Sequence, residues 1–342
     1  MIKVFGTAFD PLDIPERLDI KVAYLDWLRN KSTSEGDFSD PYDFIETEMK
    51  ERYPNKRAKE VKWIGKFPVD SWLRPKPAIS DINHLSQEEF TRFLDGDGCH
   101  ECSNRLVEYL TRNIGTSMPV MIGVDHSLTG GVLKYLSKRI GDYNILIFDS
   151  HCDLIDLETR KRYFGCYINN LNNAFSRGDI YECGSFLYHL LKENIIKPEN
   201  LWIVGAQDVD HFKENAETLY SERILPWIRK GLHILSKKDF LCYGIPDEIK
   251  GQTYVSFDMD LGSLASVYAA RFLNYKGLDV EQMFGLINVL SERIRTKKID
   301  LIGLDIMEMD IHLLGENIGG NQDYSPKIAY RILDTMVYDA FA

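Results

Sequence analysis

Short apolar runs alternate with longer amphipathic stretches through most of the chain. Apolar and β-branched runs predict strands over Ile2–Gly6, Pro119–Gly123, Asn144–Phe148, Leu201–Gly205, Gly231–Leu235, Thr253–Phe257 and Asp300–Leu304. Each is about 5 residues, the usual strand length. Between them the pattern predicts helices over Cys102–Asn113, Leu128–Ile140, Ser185–Glu193, Glu214–Leu225, Val280–Arg295 and Lys327–Tyr338. Strand–helix alternation of this kind implies an α/β fold, a parallel sheet with helices on both faces. The stretch from about 31 to 90 breaks the pattern, with five of the 12 prolines, many charges and two tryptophans, Trp63 and Trp72. It reads as an irregular insertion packed on the sheet, either a plain surface excursion or a lid or oligomer contact. No repeat, low-complexity run or flexible linker divides the chain, so 1–342 reads as a single domain carrying that insertion.

Composition narrows the class. A length of 342 residues with 44 % hydrophobic and 27 % charged residues is that of an ordinary globular protein. Lysine and arginine total 41 against 52 acidic residues, a net charge of −11. That balance argues against a nucleic-acid binder, which needs a basic surplus to replace phosphate counterions. No apolar stretch reaches the roughly 18 residues of a membrane span, and the opening MIKVFGTAFDPLD has no secretory pattern. The expectation is a cytoplasmic protein. The six cysteines (Cys99, Cys102, Cys152, Cys166, Cys183 and Cys242) are no disulfide framework in a chain this long. Cys99-His100-Glu101-Cys102 is half of a zinc pattern with no second half, and reads as a turn before a helix starting near Ser103. Cys152 lies between candidate ligands, but alternation along an extended segment turns it away to be buried and inert.

Ligands of an open parallel sheet bind at the carboxyl ends of its strands. After Pro119–Gly123 comes Val124-Asp125-His126-Ser127, and after Asn144–Phe148 comes Asp149-Ser150-His151-Cys152-Asp153. Asp258-Met259-Asp260 follows Thr253–Phe257, and Asp305-Ile306-Met307-Glu308-Met309-Asp310 follows Asp300–Leu304. His126, Asp149, His151, Asp153, Asp258 and Asp260 thus supply four carboxylates and two imidazoles to one rim. So many carboxylates repel one another unless cations separate them. Oxygen-rich sites with two nitrogens suit hard or borderline divalent metals, manganese best. Six side chains are too many for one open catalytic ion and fit two ions about 3.5–4 Å apart.

These motifs resemble those of the ureohydrolase (arginase–agmatinase) superfamily: Gly123-Val-Asp-His-Ser127, Asp149-Ser-His-Cys-Asp153, Ser256-Phe-Asp-Met-Asp260 and Asp305-Ile-Met-Glu-Met309. The resemblance spans about Pro119 to Asp310 and implies a three-layer αβα fold with a central parallel sheet. It implies two Mn²⁺ per chain bridged by Asp149 and Asp258, with His126 and Asp153 completing one ion and His151 and Asp260 the other. Glu308 falls on the family's guanidinium-binding glutamate, and Asp153 is placed to pass a proton to the leaving amine. Asp208-Val209-Asp210 resembles an arginase segment in which Asp210 meets the substrate's α-amino group; a helix N-cap ahead of Phe212–Thr218 is the other reading of Asp210. Asp156, Glu158, Asp208 and Asp210 would give the rim a field attracting a cation, or simply solubilise the surface.

Departures from the pattern bear on the substrate. Phe164-Gly165 stands where the family has a His-Gly pair whose histidine shuttles protons. Leu261-Gly-Ser-Leu-Ala265 replaces the Asp-Pro after the second D-x-D, and Ser266-Val-Tyr-Ala-Ala-Arg-Phe272 replaces the threonine/glycine loop of enzymes acting on free amino acids. Asp153 is followed by Leu-Ile-Asp-Leu-Glu158, not by the loop that holds a free amino acid's carboxylate. With the opening Phe5-Gly-Thr-Ala-Phe-Asp10, the pattern resembles the peptide arginases. That implies arginine side chains of a ribosomally made precursor peptide as substrate, with urea released and ornithine left. A small-guanidine enzyme of agmatinase or guanidinobutyrase type, a formimidoylglutamase, and a non-catalytic metal-binding homologue stay open. Family members are often homo-oligomers.

Overall fold

The computed structural model describes residues 1–12, 14–30, 38–53, 60–156, 159, 179–273 and 276–339. Its main strands are β1 (Ile2–Thr7), β2 (Val61–Lys66), β3 (Met118–Gly123), β4 (Asn144–Phe148), β5 (Leu201–Val204), β6 (His233–Leu235), β7 (Gly251–Asp258) and β8 (Ile299–Met307). They form one parallel sheet in the order β2-β1-β3-β8-β7-β4-β5-β6. A two-stranded antiparallel ribbon, β9 (Asn317–Ile318) and β10 (Asn321–Gln322), lies apart from it. The longer helices are α1 (Pro15–Asn30), α2 (Pro41–Arg52), α3 (Gln87–Asp95), α4 (Gly98–Asn113), α5 (Thr129–Ile140), α6 (Phe186–Lys192), α7 (Asp208–Asn215), α8 (Lys237–Tyr243), α9 (Val280–Arg295) and α10 (Ser325–Leu333).

Each face of the sheet carries its own core. Along β4, Ile145 and Ile147 enter one apolar cluster while Leu146 and Phe148 enter the other, as side chains of a strand alternate between faces. Burial on both faces is why the central strands are near-continuous apolar runs. Helix α9 starts at a reciprocal cap: Asp279 accepts from Gln282 N–H at 2.8 Å, and Gln282 Oε1 accepts from Asp279 N–H at 3.1 Å. It buries Met283, Leu286, Ile287, Leu290 and Ile294, one helical stripe. The three-layer αβα architecture follows. Among the described residues no helix is long and apolar enough to cross a membrane.

Several elements differ from the sequence reading. The stretch from 31 to 90 is not irregular throughout, since its described part holds α2, α3's opening turn and β2, which pairs with β1 as the sheet's edge. An edge strand need not be apolar, and β2 carries Lys62, Lys66 and Gly65. Helix α1 escaped because its buried stripe, Leu18, Lys21 and Leu25, has a lysine at its centre. Helix α4 begins at Gly98, so Cys99 and Cys102 are buried in its first turns and not in a turn before it. The helix expected over Glu214–Leu225 is split into α7, a short turn, a π-helical segment (Tyr220–Ile224) and a final turn at Leu225–Ile228. Pro226 explains the irregular winding, because a proline clashes with the carbonyl four residues earlier. The last helix likewise ends at Leu333 and continues as a π turn over Asp334–Tyr338. Glu158, Phe164, Gly165 and Cys166 lie outside the described residues.

Candidate metal centre

Strands β3, β8, β7 and β4 are neighbours in the middle of the sheet, and being parallel they end at one edge. Their endings carry the sequence motifs. Gly205, just past β5, makes room for one of them: its φ is +108°, and a Cβ there would lie 2.8 Å from the carbonyl oxygen of Asp149. Asp208 Oδ2 accepts from Cys152 N–H at 3.2 Å and so props the 149–153 segment from α7.

All six candidate ligands meet. His126 Nδ1 lies 3.2 Å from Asp149 Oδ2, 3.0 Å from Asp153 Oδ2 and 3.1 Å from Asp258 Oδ2. His151 Nδ1 lies 2.8 Å from Asp260 Oδ2 and 3.5 Å from Asp149 Oδ1. Asp149 thus turns one oxygen to each histidine. The other ring nitrogen of His126 pairs with Ser256 Oγ at 2.8 Å, which fixes the ring with Nδ1 toward the carboxylates. Ser150 supports the second group, its hydroxyl donating to Asp260 Oδ1 at 2.9 Å.

The donor set fits divalent cations. Three carboxylate oxygens converge on one ring nitrogen, which has one proton at most to offer. His126 Nδ1 and Asp149 Oδ2 are buried without a hydrogen-bond partner, an arrangement a cation among them completes. Two triads within ligand reach share Asp149: His126, Asp149 and Asp153, and Asp149, His151 and Asp260. Titration reflects the same crowding. Burial, with Asp260 and Asp149 beside it, pushes Asp258 well above the carboxylate range, and burial raises Asp260. Burial alone would depress His126, but the carboxylates of Asp149, Asp153 and Asp258 drive it well above its ordinary value.

A cavity opens over this cluster, lined by His126, His151, Asp153, Asp258 and Asp260 and walled by Glu182, Cys183, Phe272 and Glu308. Three of its residues hold a left-handed backbone, Asp153 at φ +51°, Phe272 at +56° and Glu308 at +61°. Such φ values are uncommon for residues other than glycine and cluster at functional sites.

Glu308 is at the cavity wall, but both its oxygens are engaged. Arg271 Nε donates to Oε2 at 2.6 Å and Nη2 to Oε1 at 2.8 Å, while Oε1 also accepts from His126 N–H at 2.8 Å. Burial raises the Glu308 pKa to about 7 against the pull of Arg271. Arg271 also reaches Asp10 at 2.7 Å and Asp125 at 3.0 Å. Lys21, 3.4 Å from Asp10, adds a second buried cation. None of Arg271, Asp10, Asp125, Glu182 and Cys183 was assigned a role from the sequence. Asp210 is exposed on α7, 3.4 Å from Lys213, away from the cavity wall and three residues past the N-cap, Gln207. Asp208 acts on the Cys152 backbone, and Asp156 is buried, accepting from Thr159 N–H at 2.8 Å. Cys152 is buried, as alternation predicted.

Residues 48–317 match the sequence model of the Arginase family. A Methanothermus fervidus protein, described as an uncharacterized 32.2 kDa protein in the hmfB 3′ region, is 25% identical over 235 residues, 69% of this chain and 68% of that one. The proclavaminate amidino hydrolase of Streptomyces clavuligerus shares the fold with a TM-score of 0.59 at 16% identity, over 99% of this chain and 92% of its own. The arginase of Bacillus caldovelox does so with a TM-score of 0.57 at 15% identity, over 97% of each chain.

Proposed function

Because the chain belongs to the arginase family of ureohydrolases, we propose that it uses two manganese ions to hydrolyse the guanidinium of arginine side chains within a peptide. The products are urea and an ornithine side chain. The observation that carries the metal reading is the convergence of His126, Asp149, His151, Asp153, Asp258 and Asp260 from three strand ends. Support for a peptide substrate comes from the loop after Asp260, where Ser266–Phe272 stands in place of the family's threonine/glycine loop.

Asp149, facing both histidines, ties the two halves of the centre, and Asp258 closes the His126 half. Divalent ions held by these six side chains would lower the pKa of a bound water so that a nucleophile is available near neutral pH. Phe272, Glu182 and Cys183 line the same cavity beside the ligands. Asp153, on the cavity wall, carries the water's proton to the nitrogen that leaves when the carbon–nitrogen bond breaks. One observation favours a second reading, a metal-binding homologue without turnover: the carboxylate expected to hold the substrate is held by Arg271.

A urea assay separates these readings. Manganese-loaded protein is given an arginine-containing peptide, free arginine and agmatine in parallel. Urea from the peptide alone is the expected result. Urea from agmatine or free arginine overturns the peptide assignment, and none from any, with both ions bound, favours the homologue without turnover.

A further inference from the structure

Glu308 is the carboxylate expected to grip a guanidinium from outside the chain, and it already grips one from within. The contacts of Arg271 Nε and Nη2 with its two oxygens, at 2.6 and 2.8 Å, form the parallel two-bond fork in which a guanidinium and a carboxylate fit best. A carboxylate offers one such face, because the fork uses the inward lone pairs of both oxygens. The His126 N–H takes a further position on Oε1.

Arg271 is built in. Its side chain is 1 % exposed and also donates to Asp10 and Asp125. Its backbone N–H donates to the Glu308 carbonyl at 3.0 Å, and Ala270 bridges to Met309, so the two segments run side by side. Withdrawing the guanidinium would leave Asp10, Asp125 and Glu308 buried with only Lys21 and Arg17, both beside Asp10, as near cations, which the low-dielectric interior penalises heavily. A pseudo-substrate arm that swings aside is therefore the wrong picture.

We propose that Arg271 is a specificity-determining residue: it takes the bidentate face of Glu308 and so denies that carboxylate to small free guanidines. The proposal rests on reading the centre as hydrolytic, and it deepens that reading. A substrate deprived of the Glu308 clamp must be positioned by contacts remote from the carbon under attack. A peptide offers such contacts along its length, whereas agmatine and free arginine offer few. The same loop replacement that removes the free-amino-acid pattern, Ser266–Phe272, also supplies the arginine.

Calorimetric titration with agmatine, on protein carrying manganese, reads this without turnover. Wild type is expected to show no saturable binding at millimolar agmatine. Arg271→Gly should bind it about tenfold more tightly or better, and the Arg271→Gly/Glu308→Gln double variant should lose that gain. A merely structural arginine would also leave in Arg271→Gly a guanidinium-sized hollow between Asp10, Asp125 and Glu308, so the gain supports the proposal only if adding Asp10→Asn leaves it intact, and its loss there overturns the proposal. Folded Arg271→Gly with its full metal complement that stays blind to agmatine overturns the proposal. Should that variant not fold, wild type decides: saturable agmatine binding that Glu308→Gln abolishes overturns it, and silence supports it. Because binding is the readout, absence of urea in every assay would sink the hydrolase reading and leave this result to stand by itself.

Discussion

Asp10 shows how a single buried carboxyl is set by its neighbours. Burial raises its pKa, but Lys21, Arg271 and Arg17 outweigh burial and hold it down at about 2, against an ordinary 3.8. The unfolded chain therefore binds the extra proton between those values, and Asp10 stabilises the fold fully above about pH 4, with the gain lost as pH falls through 2. The shift corresponds to about 2 kcal/mol. Urea unfolding of wild type and Asp10→Asn should thus differ most near neutral pH, with the gap roughly halved by pH 3; a gap independent of pH contradicts the account. The candidate metal ligands were legible at this scale because each follows a strand, five of them as a trio and a pair close in sequence. Arg271 was not. Between Ala269-Ala270 and Phe272-Leu273 it looks like one charge in an apolar run, and its partners Asp10, Asp125 and Glu308 lie 261, 146 and 37 positions away. No local spacing announces a pairing of that kind.

Elements were legible where one physical cause dominates. Val280–Arg295 has a cap and a clean apolar stripe, and its ends match the sequence reading residue for residue. β2 is an edge strand and α1 buries a lysine, so neither presents the pattern that burial usually writes. The connections carry equal weight in the site. Gly205 ends β5 with φ +108° against the Asp149 carbonyl, and it holds the ligand segment close to the sheet. Gly205→Ala is expected to lower stability by more than about 1 kcal/mol, since alanine is strained at that φ, and to lower manganese occupancy with it. Thermal unfolding and elemental analysis check both parts. Unchanged occupancy would mean that the 149–153 segment is held by Asp208 and Ser150 without help from β5.

Across the whole molecule, the sheet order does the assembling. β4 and β7 are adjacent in the sheet although more than a hundred residues separate them, and β8 then β3 complete the central four. Parallel direction puts their carboxyl ends on one edge, which is why motifs read singly along the chain become one cluster in space. The fold class was legible from alternation, and the meeting of the motifs followed from it. What stayed hidden was the second buried charge network, Asp10, Asp125, Lys21, Arg271 and Glu308, which lies against the candidate ligand cluster and restrains Glu308. The central claim is that the six side chains cage a pair of divalent cations. Elemental analysis of protein reconstituted with Mn²⁺, set beside Asp258→Asn, tests it most directly. The account predicts close to two ions per chain in wild type and a clear loss in the variant; one ion or none in wild type, or full occupancy without Asp258, contradicts it.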